Sequence, residues 1–130
     1  AYEKALELEP TDAKAHYNSG VIHQQKGEYT QAIESFTKAL KCDPRLAKAH
    51  NNLGAIYLTI GKRNQAITSF YQALKYAPEF AEAWNNLGTA YALTGEYKKA
   101  IVFFKEALNI SPHYIDARNN LTLATEKTKQ

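Results

Sequence analysis

Apolar and small residues recur along this chain at helical spacing, and the recurrence itself repeats. In the stretch 81–112, Ala83, Trp84, Leu87, Gly88 and Tyr91 fall at steps of three and four, which places them on one helical face. Gly95 interrupts the stripe, as glycine commonly does at a helix C-terminus. A second stripe follows in Ala100, Ile101, Phe104, Ala107 and Leu108. Pro112 ends it, because proline lacks a donor N–H and its ring clashes with the preceding turn. The pattern predicts two antiparallel helices joined by a short turn. Size alternation suits such a pair: Gly88 and Ala100 are small where the helices approach, and Trp84, Tyr91 and Phe104 fill the space beside them.

The pattern returns every 34 residues. Pro10, Pro44, Pro78 and Pro112 keep that step, as do Gly20, Gly54 and Gly88; Gly27, Gly61 and Gly95; Ala32, Ala66 and Ala100; and Phe36, Phe70 and Phe104. Self-similarity at such a period marks a solenoid, in which each unit is stable only against its neighbours. The units read as 13–46, 47–80 and 81–114. Residues 1–12 read as the second-helix tail of an earlier unit, and 115–130 as a terminal capping helix, more polar because Thr122 and Thr125 stand where Gly88 and Tyr91 stand one unit before.

Residues 84–112 carry Trp84, Leu87, Gly88, Tyr91, Ala100, Phe104, Ala107 and Pro112, an arrangement that resembles the tetratricopeptide repeat (TPR) signature. Other units depart from it: His16 and His50 stand at the Trp position, Ser19 at the Leu position and His23 at the Tyr position. The resemblance covers essentially the whole chain. It implies an all-α fold, a right-handed α-solenoid of helix-turn-helix units whose first helices line a concave face. It further implies a protein-interaction module that binds an extended peptide or partner protein there.

A helix turns about 100° per residue, so the face opposite the buried stripe can be read from the sequence. Asn18, Asn52, Asn86 and Asn120 form a ladder on it at the repeat step, with Asn51, Asn85 and Asn119 in a second row. An amide side chain both donates and accepts, so such a ladder suits the N–H and C=O groups of an extended peptide. Tyr17, Val21, Ala55, Leu58, Thr89 and Leu93 are the neighbours that would select side chains. Lys14 and Lys48 begin this face in the first two units, where Glu82 and Asp116 stand in the later ones. A ligand with one acidic and one basic end would therefore bind in one direction.

Family members that grip the acidic C-terminal tails of heat-shock chaperones use a clamp of Lys, two Asn, Lys and Arg. Those positions read Tyr17, Val21, Asn52, Glu82 and Asn86 here, or Asn51, Ala55, Asn86, Asp116 and Asn120 one unit later. Only the middle Asn matches in either frame, so chaperone acidic tails are not expected as partners.

At the other end, Tyr2, Ala5 and Leu6 match Phe36, Ala39 and Leu40, but their partner helix is absent from the sequence. An exposed apolar strip tends to associate. Tyr2 and Leu6 are therefore expected to pack against another copy, giving a homo-oligomer, or to fray. A self-associating scaffold, or the substrate-targeting arm of a larger enzyme, is the alternative to a peptide-binding module.

Composition narrows the remainder. The 130 residues carry 16 Lys and Arg against 13 Asp and Glu, a net charge of +3. Nucleic-acid surfaces cluster their cations, whereas Arg45, Arg63 and Arg118 are scattered, so nucleic acid is not expected. No apolar run nears the roughly 20 residues of a membrane helix. A lone Cys42 excludes an internal disulfide or a multi-cysteine metal site, and it reads as a small buried apolar residue. His16, His23 and His50 read as packing residues. No nucleophile–base pair or phosphate loop occurs, so neither catalysis, cofactor nor metal is expected. The setting expected is cytoplasmic.

Overall fold

A computed structural model describes residues 10–130 of the chain. The expected self-association residues Tyr2 and Leu6 lie outside the described residues. The described part contains helices and turns: α1 (Pro10–Gln25), α2 (Tyr29–Cys42), α3 (Ala47–Thr59), α4 (Arg63–Tyr76), α5 (Ala81–Leu93), α6 (Tyr97–Ile110) and α7 (Ile115–Thr128). They pair as α1 with α2, α3 with α4, and α5 with α6, while α7 packs on α6 and touches α5. The described part of α1 begins at Pro10, ahead of the unit boundary at 13.

Each hairpin turn is built the same way. Gly27, Gly61 and Gly95 have φ of 77°, 85° and 84°, which a side chain would strain. Around Gly61, the Lys62 N–H donates to Tyr57 O at 2.7 Å and the Gly61 N–H to Leu58 O at 3.2 Å, a Schellman closure of the last carbonyls. Between units, the residue before each proline is forced out of the helical region. Its N–H still caps the helix, with Asp43, Ala77 and Ser111 donating to Ala39, Ala73 and Ala107 carbonyls at 2.9, 2.9 and 2.8 Å.

The core runs along the array as one repeated contact. Phe36, Phe70 and Phe104 are at most 1% exposed. Each ring lies on the backbone of a glycine in the preceding helix. A Cβ built on Gly20, Gly54 or Gly88 would come within 2.7, 2.5 or 2.6 Å of that ring. The glycines are therefore needed for ring-on-backbone packing, a sharper role than helix approach alone.

The Trp position adds a task to the filling role expected of it, for Trp84 packs against the core as well. Trp84 is only half-buried, and its indole Nε1–H donates to Pro78 O at 2.8 Å. His50 Nε2 lies 2.9 Å from Pro44 O, and Arg118 donates to Pro112 O at 2.8 Å. A carbonyl only accepts, so His50 carries its proton on Nε2. Indole, imidazole and guanidinium share an N–H that reaches six residues back to the inter-unit turn. His23, at the Tyr position, is half-buried and meets Glu28 at 2.7 Å. Cys42 is half-buried, not enclosed, at the end of α2.

The third unit adds an aromatic cluster. Phe103 is stacked between Trp84 and Tyr91, with centroids 5.8 and 5.4 Å away, and Tyr71 meets it edge-on at 6.4 Å. Ser35 and Ser69 stand at this position in the other units.

Candidate functional site

α1, α3, α5 and α7 are the first helices of successive units, and each touches the next. That contact decides what the Asn ladder does. Asn86 Nδ2 donates to Asn51 Oδ1 at 3.0 Å, and Asn120 Nδ2 donates to Asn85 Oδ1 at 3.0 Å. Asn52 Nδ2 donates to the Tyr17 hydroxyl at 3.3 Å, and Tyr17 occupies the position of Asn51 one unit earlier. Each bond spans 35 residues, one repeat plus one. The two Asn rows are thus halves of one inter-unit zipper.

The rows differ in access. Asn51 is 1% exposed and Asn85 is 6% exposed. The expectation that these two meet a ligand is corrected here, because a peptide cannot reach an amide enclosed between adjacent helices. A helical wheel drawn for one hairpin omits the neighbouring first helices that bury this row. Asn51 donates also to Glu82 Oε2 at 3.1 Å, and Asn85 donates to the Tyr114 hydroxyl in a long contact of 3.5 Å. No buried side-chain N or O lacks a partner among the described residues.

The row of Asn18, Asn52, Asn86 and Asn120 remains accessible. Asn18 is exposed, and Asn52, Asn86 and Asn120 are half-buried. Each of the latter three uses an N–H inward, while its Oδ1 enters no hydrogen bond among the described residues. Asn119, at the end of the row of Asn51 and Asn85, is exposed because no helix follows α7 in the array described. Tyr17, Val21, Ala55 and Thr89 are half-buried, and Lys14 and Lys48 are exposed. Tyr17 packs on Phe36 at 5.6 Å, and Thr89 returns its hydroxyl to Asn85 O at 3.0 Å, so both present mainly their apolar parts.

Charge divides along this face. Lys14 and Lys48 stand on α1 and α3, whereas Glu82 and Asp116 stand on α5 and α7, all four exposed. Burial, followed by the Glu82 charge, pushes the Tyr114 phenol above its ordinary value, with Asp116 adding to the rise and the Asn85 hydrogen bond opposing it. The wheel had not singled out Tyr114. Phe80 and Leu46 stand at its position in earlier units, so its hydroxyl is the one signal that could have found it.

Tetratricopeptide repeat profiles match residues 1–34 and 81–114, and a TPR repeat profile matches 24–61 and 56–95. This chain belongs to the tetratricopeptide repeat family. Solved structures agree with the fold. The first TPR of Spaghetti (RPAP3), bound to HSP90 peptide SRMEEVD, superposes with a TM-score of 0.91 at 19% identity, covering 95% of this chain and 98% of that one. MamA matches with a TM-score of 0.86 at 29% identity, covering 99% of this chain and 75% of that one. The second TPR domain of human RPAP3, in complex with HSP70 peptide SGPTIEEVD, matches with a TM-score of 0.84 at 25% identity, covering 90% and 98%. No curated protein matches this chain at a significant level.

These likenesses overturn the exclusion of chaperone acidic tails as partners, since two of the similar domains hold such peptides. The exclusion compared five side chains for identity. A groove's field sums all of its charges, and Lys14 and Lys48, both exposed, lie outside those five positions. As a TPR chain, the protein is a protein-interaction module.

Proposed function

We propose that the inner face of this TPR array binds an extended peptide, with the amides of Asn18, Asn52, Asn86 and Asn120 contacting the ligand main chain. The supporting observation is the half-committed state of Asn52, Asn86 and Asn120: one N–H of each is held inward, and its Oδ1 is left without a partner among the described residues. Anchored amides meet a peptide with little loss of side-chain freedom, which favours affinity. Lys14 and Lys48 draw the acidic part of the ligand to α1 and α3, and Tyr17, Val21, Ala55 and Thr89 supply apolar contact. The acidic peptides held by similar TPR domains, SGPTIEEVD and SRMEEVD, are suitable first ligands.

Fluorescence anisotropy with labelled SGPTIEEVD tests this reading. Saturable binding is expected, weakened several-fold by Lys48→Glu and by the pair Asn52→Ala and Asn86→Ala, with the fold of each variant verified by circular dichroism. Equal binding by the folded double variant would show that the ladder is not the contact surface.

A further inference from the structure

At the C-terminal end of the inner face, α5, α6 and α7 line an open cavity of about 210 Å³. Phe104, 1% exposed, contributes to its lining. Leu93, Tyr97, Leu123 and Ala124 supply apolar walls, and Lys127 also lines it. Leu93 and Leu123 are 50% and 60% exposed, although both line a concavity. Exposed apolar side chains gathered in a concave site mark a binding surface.

The repeat provides its own comparison. One unit earlier, Arg63, Thr89 and Leu93 hold the positions of Tyr97, Leu123 and Lys127. Across these three positions the step between α5 and α7 has one more apolar side chain, and its single cation has moved from the second helix, where Arg63 stands, to the first helix α7, as Lys127. Tyr97 also lines an adjoining depression of about 420 Å³, together with Lys98 and Lys99. Lys98, Lys99 and Lys127 thus line the two cavities against a single acid, Glu96, which Lys99 already meets at 3.4 Å. Lys127 enters no ion pair among the described residues.

We propose that this cavity receives an apolar side chain of a peptide whose adjacent group is a carboxylate, the carboxylate being attracted by Lys127. The inference rests on the reading of the inner face as a peptide groove and names the side-chain class accepted at its C-terminal end. Size permits it, since a cavity of roughly 150 Å³ lined by Leu, Ile and Phe takes up benzene. Charge complementarity sets the sign of the neighbour, and an exposed lysine makes that attraction sensitive to salt.

The probe is 3-phenylpropanoate, compared with 3-phenylpropylamine, in ¹H–¹⁵N NMR titrations of the whole labelled chain. Saturable shifts confined to residues around 93, 97, 123 and 124 are expected for the carboxylate. They should weaken several-fold in Lys127→Glu and at high salt, and the amine should produce none. Absent or scattered shifts would overturn the proposal, as would equal responses to acid and amine or no effect of Lys127→Glu. Neither probe has a peptide main chain, so this result does not depend on the Asn ladder. Bound SGPTIEEVD with silent probes would remove the pocket and leave the groove reading intact; responding probes with no peptide binding would do the reverse.

Discussion

Asn86 on α5 donates to the side-chain oxygen of Asn51 on α3 at 3.0 Å, and Asn51 is enclosed while Asn86 is not. The pair joins two functions along one line of the array. The inner partner sets the register of adjacent units, and the outer partner is held in place with acceptor capacity to spare.

Replacement of Asn51 should therefore damage the fold, and replacement of Asn18 should not. Asn51→Leu removes the acceptor of Asn86 and the donor to Glu82, two hydrogen bonds worth about 0.5–1.5 kcal/mol each on balance. Asn18→Ala, on an exposed site, should stay within about 0.5 kcal/mol of wild type. Urea unfolding of both variants distinguishes the roles. Equal stability of the two would remove the zipper as a source of register.

Gly54→Ala should destabilise by overpacking. The new methyl would sit 2.5 Å from Phe70, which is fully buried and cannot withdraw. A cost of about 1–3 kcal/mol is expected, with a double-mutant cycle showing partial rescue by Phe70→Leu. Strict additivity in that cycle would mean that the strain is taken up elsewhere.

His50 should be replaceable by tryptophan but not by phenylalanine. Both fill the site, but only the indole retains an N–H for Pro44 O, as Trp84 does for Pro78 O. His50→Phe should lose roughly 0.5–1.5 kcal/mol, the net value of a hydrogen bond, and His50→Trp should lose less. Thermal melts decide this, and ¹⁵N shifts of the wild-type imidazole should show the Nε2–H tautomer.

The Tyr71–Tyr91 pair predicts a loss of stability in alkali. Burial, then the hydrogen bond to Tyr91 and its charge, push Tyr71 from 10.0 up to about 12. The hydroxyls lie 3.0 Å apart. The folded state holds the neutral phenol, so its contribution is complete below pH 10 and is lost as pH rises towards 12. Phenolate absorbance should show a late-ionising tyrosine that disappears in Tyr71→Phe. Ionisation of every tyrosine together near its ordinary value would contradict the pairing.

Much of this was legible in the chain because packing in a solenoid is nearly one-dimensional. The recurring Gly, Ala and Phe positions specify the helical hairpin, and each makes its contact with a residue in the same or the adjoining unit. The ladder was visible for the same reason. Its division into a buried and an accessible row was not, since Asn51 and Asn52 are adjacent in sequence and identical in kind. The hydrogen bond at the Trp position was hidden similarly: His50, Trp84 and Arg118 share the N–H that each extends to a carbonyl six residues back.

The sequence by itself determined the period, the helical hairpins and the family, because these depend on side-chain size and on glycine and proline at fixed steps. Tertiary structure alone decided which amides are spent between units and which still face outward. It also decided that Leu93, Tyr97, Leu123 and Lys127 line one cavity. Those outcomes arise from the stacking of one hairpin on the next, a contact between residues about one repeat apart that no single helical wheel contains.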